Sequence, residues 1–164
     1  MIFRSAHRSS PFLHPNMQAV VGFGLAFGLA IATAACGPSR NVQCQQLGSA
    51  NQAAQDRIME HYQNSLGQSM DVPEFEEKLS QIRAESAQAI ATVDLSDQTL
   101  GQLRDRLAQA YQHGSDVSAK LATQLPTDGR LDPQMEEEVI QIRLNADHDI
   151  PPTIHEINLY CLGG

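Results

Sequence analysis

Tryptophan is missing from this sequence, aromatic residues of all kinds reach only 5%, and 11 Lys+Arg are outnumbered by 19 Asp+Glu. A chain short of positive charge repels phosphate backbones, so no nucleic acid is expected as a partner. It repels anionic lipid headgroups too, so membrane contact has to come from an anchor and not from a basic face. There are three cysteines, none in the C-x-x-C spacing of a structural zinc site. There is no G-x-S-x-G turn, no Walker loop and no dinucleotide fingerprint. Neither an enzyme nor a bound cofactor is therefore expected. Strand-like alternation and low-complexity tracts are absent as well. What remains is rich in Ala, Gln, Leu and Glu, a composition that favours helices.

The first 36 residues hold no acid, and all 19 carboxylate side chains follow them. Arg4 and Arg8 precede an uncharged apolar run from Ala19 to Ala35. That run is short of the ~20 residues a spanning helix needs. It ends in Thr33-Ala34-Ala35, directly before Cys36 and Gly37. Positive residues, an apolar stretch and a small-residue cut site describe a secretory signal. Small residues followed by cysteine resemble the bacterial lipobox, with one departure, Thr33 where leucine is usual. That resemblance implies cleavage before Cys36 and a diacylglycerol on its sulfur. Acyl chains contribute ~0.8 kcal/mol per buried methylene, and two or more give a stable anchor. Ordinary cleavage after Ala34, or an uncleaved helical anchor, are the alternatives; all three place the domain outside the cytoplasm. The expected organisation is a lipoprotein signal peptide over 1–35, a lipid-anchored tether over 36–41 and a helical domain over 42–164. Losing two basic residues and no acid with the signal takes the net charge from −8 to −10.

An exported domain meets an oxidising compartment, where an odd thiol needs an explanation. If Cys36 carries lipid, Cys44 and Cys161 remain and can pair. The bridge would close a loop of more than 100 residues, worth up to ~4.7 kcal/mol in the chain-entropy model. Two free, buried thiols are the alternative.

Four amphipathic segments follow the tether. Cys44, Leu47, Ala50, Ala54, Ile58, Tyr62 and Leu66 share one helical face, with Gly67 as a stop. Asp71, Pro73 and Glu74 open a second segment, lined by Phe75, Leu79, Ile82, Ser86, Ala89, Ile90 and Val93. Asp94 or Ser96 caps a third, whose stripe runs through Leu100, Leu103, Leu107, Ala110, Gly114, Val117, Leu121 and Leu125. Gly114 within that stripe predicts a close helix crossing. Asp132-Pro133 opens a fourth, with Met135, Val139, Ile142 and Ala146 inward and an interruption at Pro151-Pro152. A short continuation carries Ile154, Ile157 and Cys161. The expected fold is all-α, an up-down four-helix bundle with its fourth helix broken at the proline pair. In that topology Cys44 and Cys161 lie at the same end.

The helix opening Val42-Gln43-Cys44-Gln45-Gln46-Leu47 and the closing Glu156-Ile157-Asn158-Leu159-Tyr160-Cys161 resemble a family of small exported helical proteins from cyanobacteria. The resemblance implies a signal or anchor, a helical domain with a cysteine near each end, and no catalytic residues. Among side chains that could carry chemistry, Asp147, His148 and Asp149 with His155 and Glu156 form the densest candidate metal cluster. Glu60, His61 and His113 fall beside their stripes and are expected on the solvated surface. Glu136, Glu137 and Glu138 complement the dipole of the fourth helix. Tyr62, Tyr111 and Tyr160 border apolar faces, with their hydroxyls wet. The functional expectation is an extracytoplasmic, lipid-anchored interaction or structural module that binds another protein. A small-ligand or metal-binding protein is the alternative.

Overall fold

A computed structural model describes residues 37–66, 71–126 and 131–163. The signal region and Cys36 lie outside the described residues, as does the stop expected at Gly67. Among the described residues, five helices follow one another: α1 (Arg40–Ser65), α2 (Val72–Ala91), α3 (Gln98–Gln124), α4 (Pro133–Ala146) and α5 (Ile150–Leu162). No strand occurs among the described residues, and none of their helices is long and apolar enough to cross a membrane. The all-α bundle is as expected. The interruption of its fourth arm falls at residues 147–149, and Pro151 and Pro152 stand in the first turn of α5. The reason is positional: proline lacks an N–H that the first turn does not use, so the pair starts a helix better than it sits inside one.

Local chemistry sets most helix starts. Asp71 accepts from the Glu74 amide (2.7 Å) and Asp132 from the Met135 amide (2.8 Å), each with proline in the first turn. The cap of α3 is Asp97, not Asp94 or Ser96; its carboxylate accepts from the Leu100 amide at 2.9 Å. Asp97 is also held by the Tyr160 hydroxyl (2.9 Å), a partner 63 residues away that no local pattern announces. Ser39 caps α1, so Arg40 and Asn41 belong to the helix and the tether is shorter than expected.

The core is built from Leu47 and Ala54 of α1, Ala87 and Ile90 of α2, Leu100, Leu103, Leu107 and Tyr111 of α3 and Ile157 of α5. The α2–α3 contact is the most extensive, because small residues face each other there. The Ser115 hydroxyl donates to the Ser80 carbonyl at 2.9 Å, and Ser86 and Ser118 are fully buried. The bundle is closed at one end by the Cys44–Cys161 disulfide, with Cα atoms 5.9 Å apart, joining the start of α1 to the end of α5.

Three expected stripe residues lie outward. Leu66 is 90% exposed, Ile142 is 42% exposed, and Ala89 is exposed. Gly114 is a point of close approach, but to side chains rather than to a neighbouring backbone. A Cβ there would lie 3.2 Å from Arg83 Cδ and 3.3 Å from both Arg83 Nε and Asp147 Oδ1. Gly114→Leu is therefore expected to lower stability by about 1–3 kcal/mol, the usual cost of overpacking. That loss comes despite the ~1 kcal/mol by which glycine trails good helix formers. A urea midpoint equal to or above that of the native chain would refute it.

Candidate functional site: an open seam over buried ion pairs

The ring of helices closes where α5 meets α1, but not along α4. Among the described residues, no Cα of α4 comes within 8 Å of a Cα of α1, whereas α4 packs on α3 and α1 on α2. Neighbouring packed helices run 8–10 Å apart axis to axis, so a seam is left between α1 and α4. Two cavities of about 310 Å³ each lie along this side of the bundle, one against Arg143 of α4 and the other where α4 gives way to α5. One is lined by Tyr62, Ser65, Leu66, Val72, Phe75 and Arg143. The other is lined by Gln55, Ile58, Met59, Tyr62, Arg83, Tyr111, Asp147, Ile150 and Pro151. Tyr62 belongs to both. Apolar side chains dominate the second cavity, with Met59 57% exposed at its edge; Ile140 and Leu144 line neither cavity but are exposed on the side of α4 that carries Arg143.

The floor is ionic. Arg83, on α2, is 1% exposed and is the largest fully buried side chain. Its Nη2 donates to Asp147 Oδ2 at 2.6 Å, and its Nη1 donates to the Gly114 carbonyl (3.1 Å) and to Ser118 Oγ (3.0 Å). Glu76, fully buried about two helical turns before Arg83, pairs with Arg143 of α4. Arg143 also lies over the Phe75 ring, 5.2 Å from its centroid. Among the described residues, three buried side-chain polar atoms have no hydrogen-bond partner: Glu76 Oε2, Arg83 Nε and Asp147 Oδ1. Burial pushes the Asp147 carboxyl above the ordinary carboxylate range, with the Arg83 guanidinium opposing the rise. Burial also pushes Tyr111 up to about 12, helped by the Asp147 charge, and raises Tyr62. Tyr111 donates to Asn51 Oδ1 at 3.0 Å, so its hydroxyl is satisfied inside the bundle.

An aromatic layer backs the seam. His61 stacks on Phe75 with centroids 4.5 Å apart, and its Nε2–H donates to the Phe75 carbonyl at 3.0 Å. Tyr62 meets the same ring edge-on at 5.2 Å. His61 was expected on the surface and is only 7% exposed. A helical wheel places it beside the apolar stripe, and only the arrival of Phe75 from α2 covers it. His113 is exposed, as expected.

The candidate metal cluster is dispersed. His148 and Asp149 are neighbours at 3.2 Å, but their side chains are 80% and 77% exposed. His155 is exposed, and Glu156 is bound by both Arg106 nitrogens at 2.7 and 3.0 Å. Asp147 turns inward to Arg83 instead. Among the described residues, no three His, Cys, Asp or Glu side chains converge to hold a metal ion.

The fold and seam define an all-α bundle with one open side. Comparisons with known protein families, with characterised proteins and with solved structures find no match to this chain.

Proposed function

We propose that the mature chain is a lipid-anchored extracytoplasmic module that binds another protein through the seam between α1 and α4. The observation that carries this is the seam itself: a groove with apolar walls, left open where a closed bundle would pack two helices together. Exposed apolar residues that flank a preformed groove mark interaction sites. The signal-like start, the lipobox resemblance at Cys36 and a disulfide suited to an oxidising compartment support the address. The resemblance to small exported helical proteins supports it too.

The test is capture from detergent-solubilised membranes with the native chain and with a Met59→Glu, Leu144→Glu variant. Both positions are exposed, so stability stays within about 0.5 kcal/mol of native. A carboxylate buried without a partner weakens capture by about tenfold or more. A native chain that enriches nothing, or a variant that captures equally well, overturns the proposal. A second reading is favoured by the unpartnered Arg83 Nε and Asp147 Oδ1 beneath the groove: a small polar ligand held in the same seam. Native mass spectrometry that finds a bound small molecule, lost in Asp147→Asn, would select that reading.

A further inference from the structure

We infer that the disulfide-closed end of the bundle rests on the bilayer, with Leu159, Leu162 and Val42 in the lipid interface. The inference rests on the lipid anchor proposed above, and adds which face of the domain that anchor draws to the membrane.

The first described residues are not a loose leash. Gly37 lies against Ser96, where an added Cβ would meet Ser96 Oγ at 3.1 Å. The Pro38 carbonyl accepts from Gln43 Nε2 at 2.7 Å, and Gln43 Oε1 accepts from the Asp97 amide at 2.9 Å. Gln43 is itself buried, at 3% exposure. The segment is thus pinned to the joint between α2 and α3. Cys36 is one peptide bond further, and consecutive Cα atoms are ~3.8 Å apart. Acyl chains on Cys36 would leave the protein almost flush with this end.

That same end carries exposed apolar side chains. Leu162, in the last turn of α5, is 84% exposed and Leu159 is 58% exposed; Val42, in the first turn of α1, is 43% exposed. Tyr160 lies among them, with Arg40 5.0 Å from its ring centroid and its hydroxyl on Asp97. Tyrosine and arginine are side chains that tolerate an interface, apolar along their length and polar at the tip. Arg40 and Arg104 offset two of the three charges of Asp94, Asp97 and Asp105, so these five groups leave a net charge of −1 in an otherwise acidic domain. A zwitterionic headgroup layer fits it better than the acidic start of α4. Met59 is 19 residues along α1 from Arg40, roughly 28 Å at 1.5 Å per residue, so the seam stands clear of the headgroups.

The absence of tryptophan makes the test direct, because one introduced indole reports alone. The lipidated chain carrying Leu159→Trp, Leu162→Trp or Leu144→Trp is reconstituted into phosphatidylcholine vesicles with brominated acyl chains and floated on a gradient. The inference expects flotation, loss of most indole fluorescence at 159 and 162, and none at 144. Flotation with 159 and 162 unquenched, or with 144 quenched as strongly, overturns it and leaves the anchor standing. Protein that fails to float overturns the anchor reading, and the inference with it.

Discussion

Replacement of Arg83 by alanine lowers the unfolding free energy by about 3–5 kcal/mol, the range for breaking a buried ion pair from one side. The guanidinium holds Asp147, the Gly114 carbonyl and Ser118 together, and it fills space between α2, α3 and α4. Its removal leaves a half-buried carboxylate without its cation, an unpaired carbonyl and a cavity. Removing both partners with volume restored, as in Arg83→Met with Asp147→Leu, costs much less, because no charge is left uncompensated. The check is a double-mutant cycle in urea, read from midpoints at constant slope. A single-variant loss below about 1 kcal/mol, or a double variant as unstable as the two singles added, would show that the pair is not coupled in this way.

Reduction of the Cys44–Cys161 bridge has an effect of similar size. The cysteines are 117 residues apart in sequence, so the bond constrains nearly the whole unfolded domain. A closed loop of that length corresponds to ~4.7 kcal/mol in the chain-entropy model, and native disulfides of small exported domains typically contribute about 2–5. Cys44→Ser with Cys161→Ser is expected to lower the urea midpoint by the same amount as added dithiothreitol. The reductant then has no further effect on the variant. A reduced chain with an unchanged midpoint would mean that helix packing alone sets the stability. Since Cys44 and Cys161 are only partly buried, reduction under native conditions is expected, and helicity persists below the new midpoint.

The two experiments probe different parts of the fold. The disulfide ties α1 to α5 at the end where the chain leaves Cys36. Arg83 ties α2 to α4 beneath the seam. Loss of the second is expected to open the seam further, and the capture experiment on Met59 and Leu144 reads that surface without touching either tie.

What could be read from sequence here was local or countable. Asp71 with Pro73 and Asp132 with Pro133 announced two helix starts, because cap and first-turn chemistry act over three residues. The leucine stripe of α3 announced its buried face, because a long periodic run admits one orientation. Cys44 and Cys161 were paired by counting cysteines and by the topology of an up-down bundle. The buried charges were not legible. Arg83 meets Asp147 across 64 residues and Glu76 meets Arg143 across 67, and no local pattern announces either pairing. His61 likewise needed Phe75, 14 residues away on another helix, to bury it. By itself, then, the sequence determined helices, the caps of α2 and α4 and one covalent tie, since these depend on neighbours along the chain or on a count. Only the tertiary structure decided that α4 stands away from α1, because α1 packs on α2 while α4 packs on α3. The same packing decided which charges went inside, since desolvating a charge is tolerated only where a partner from another helix arrives to meet it.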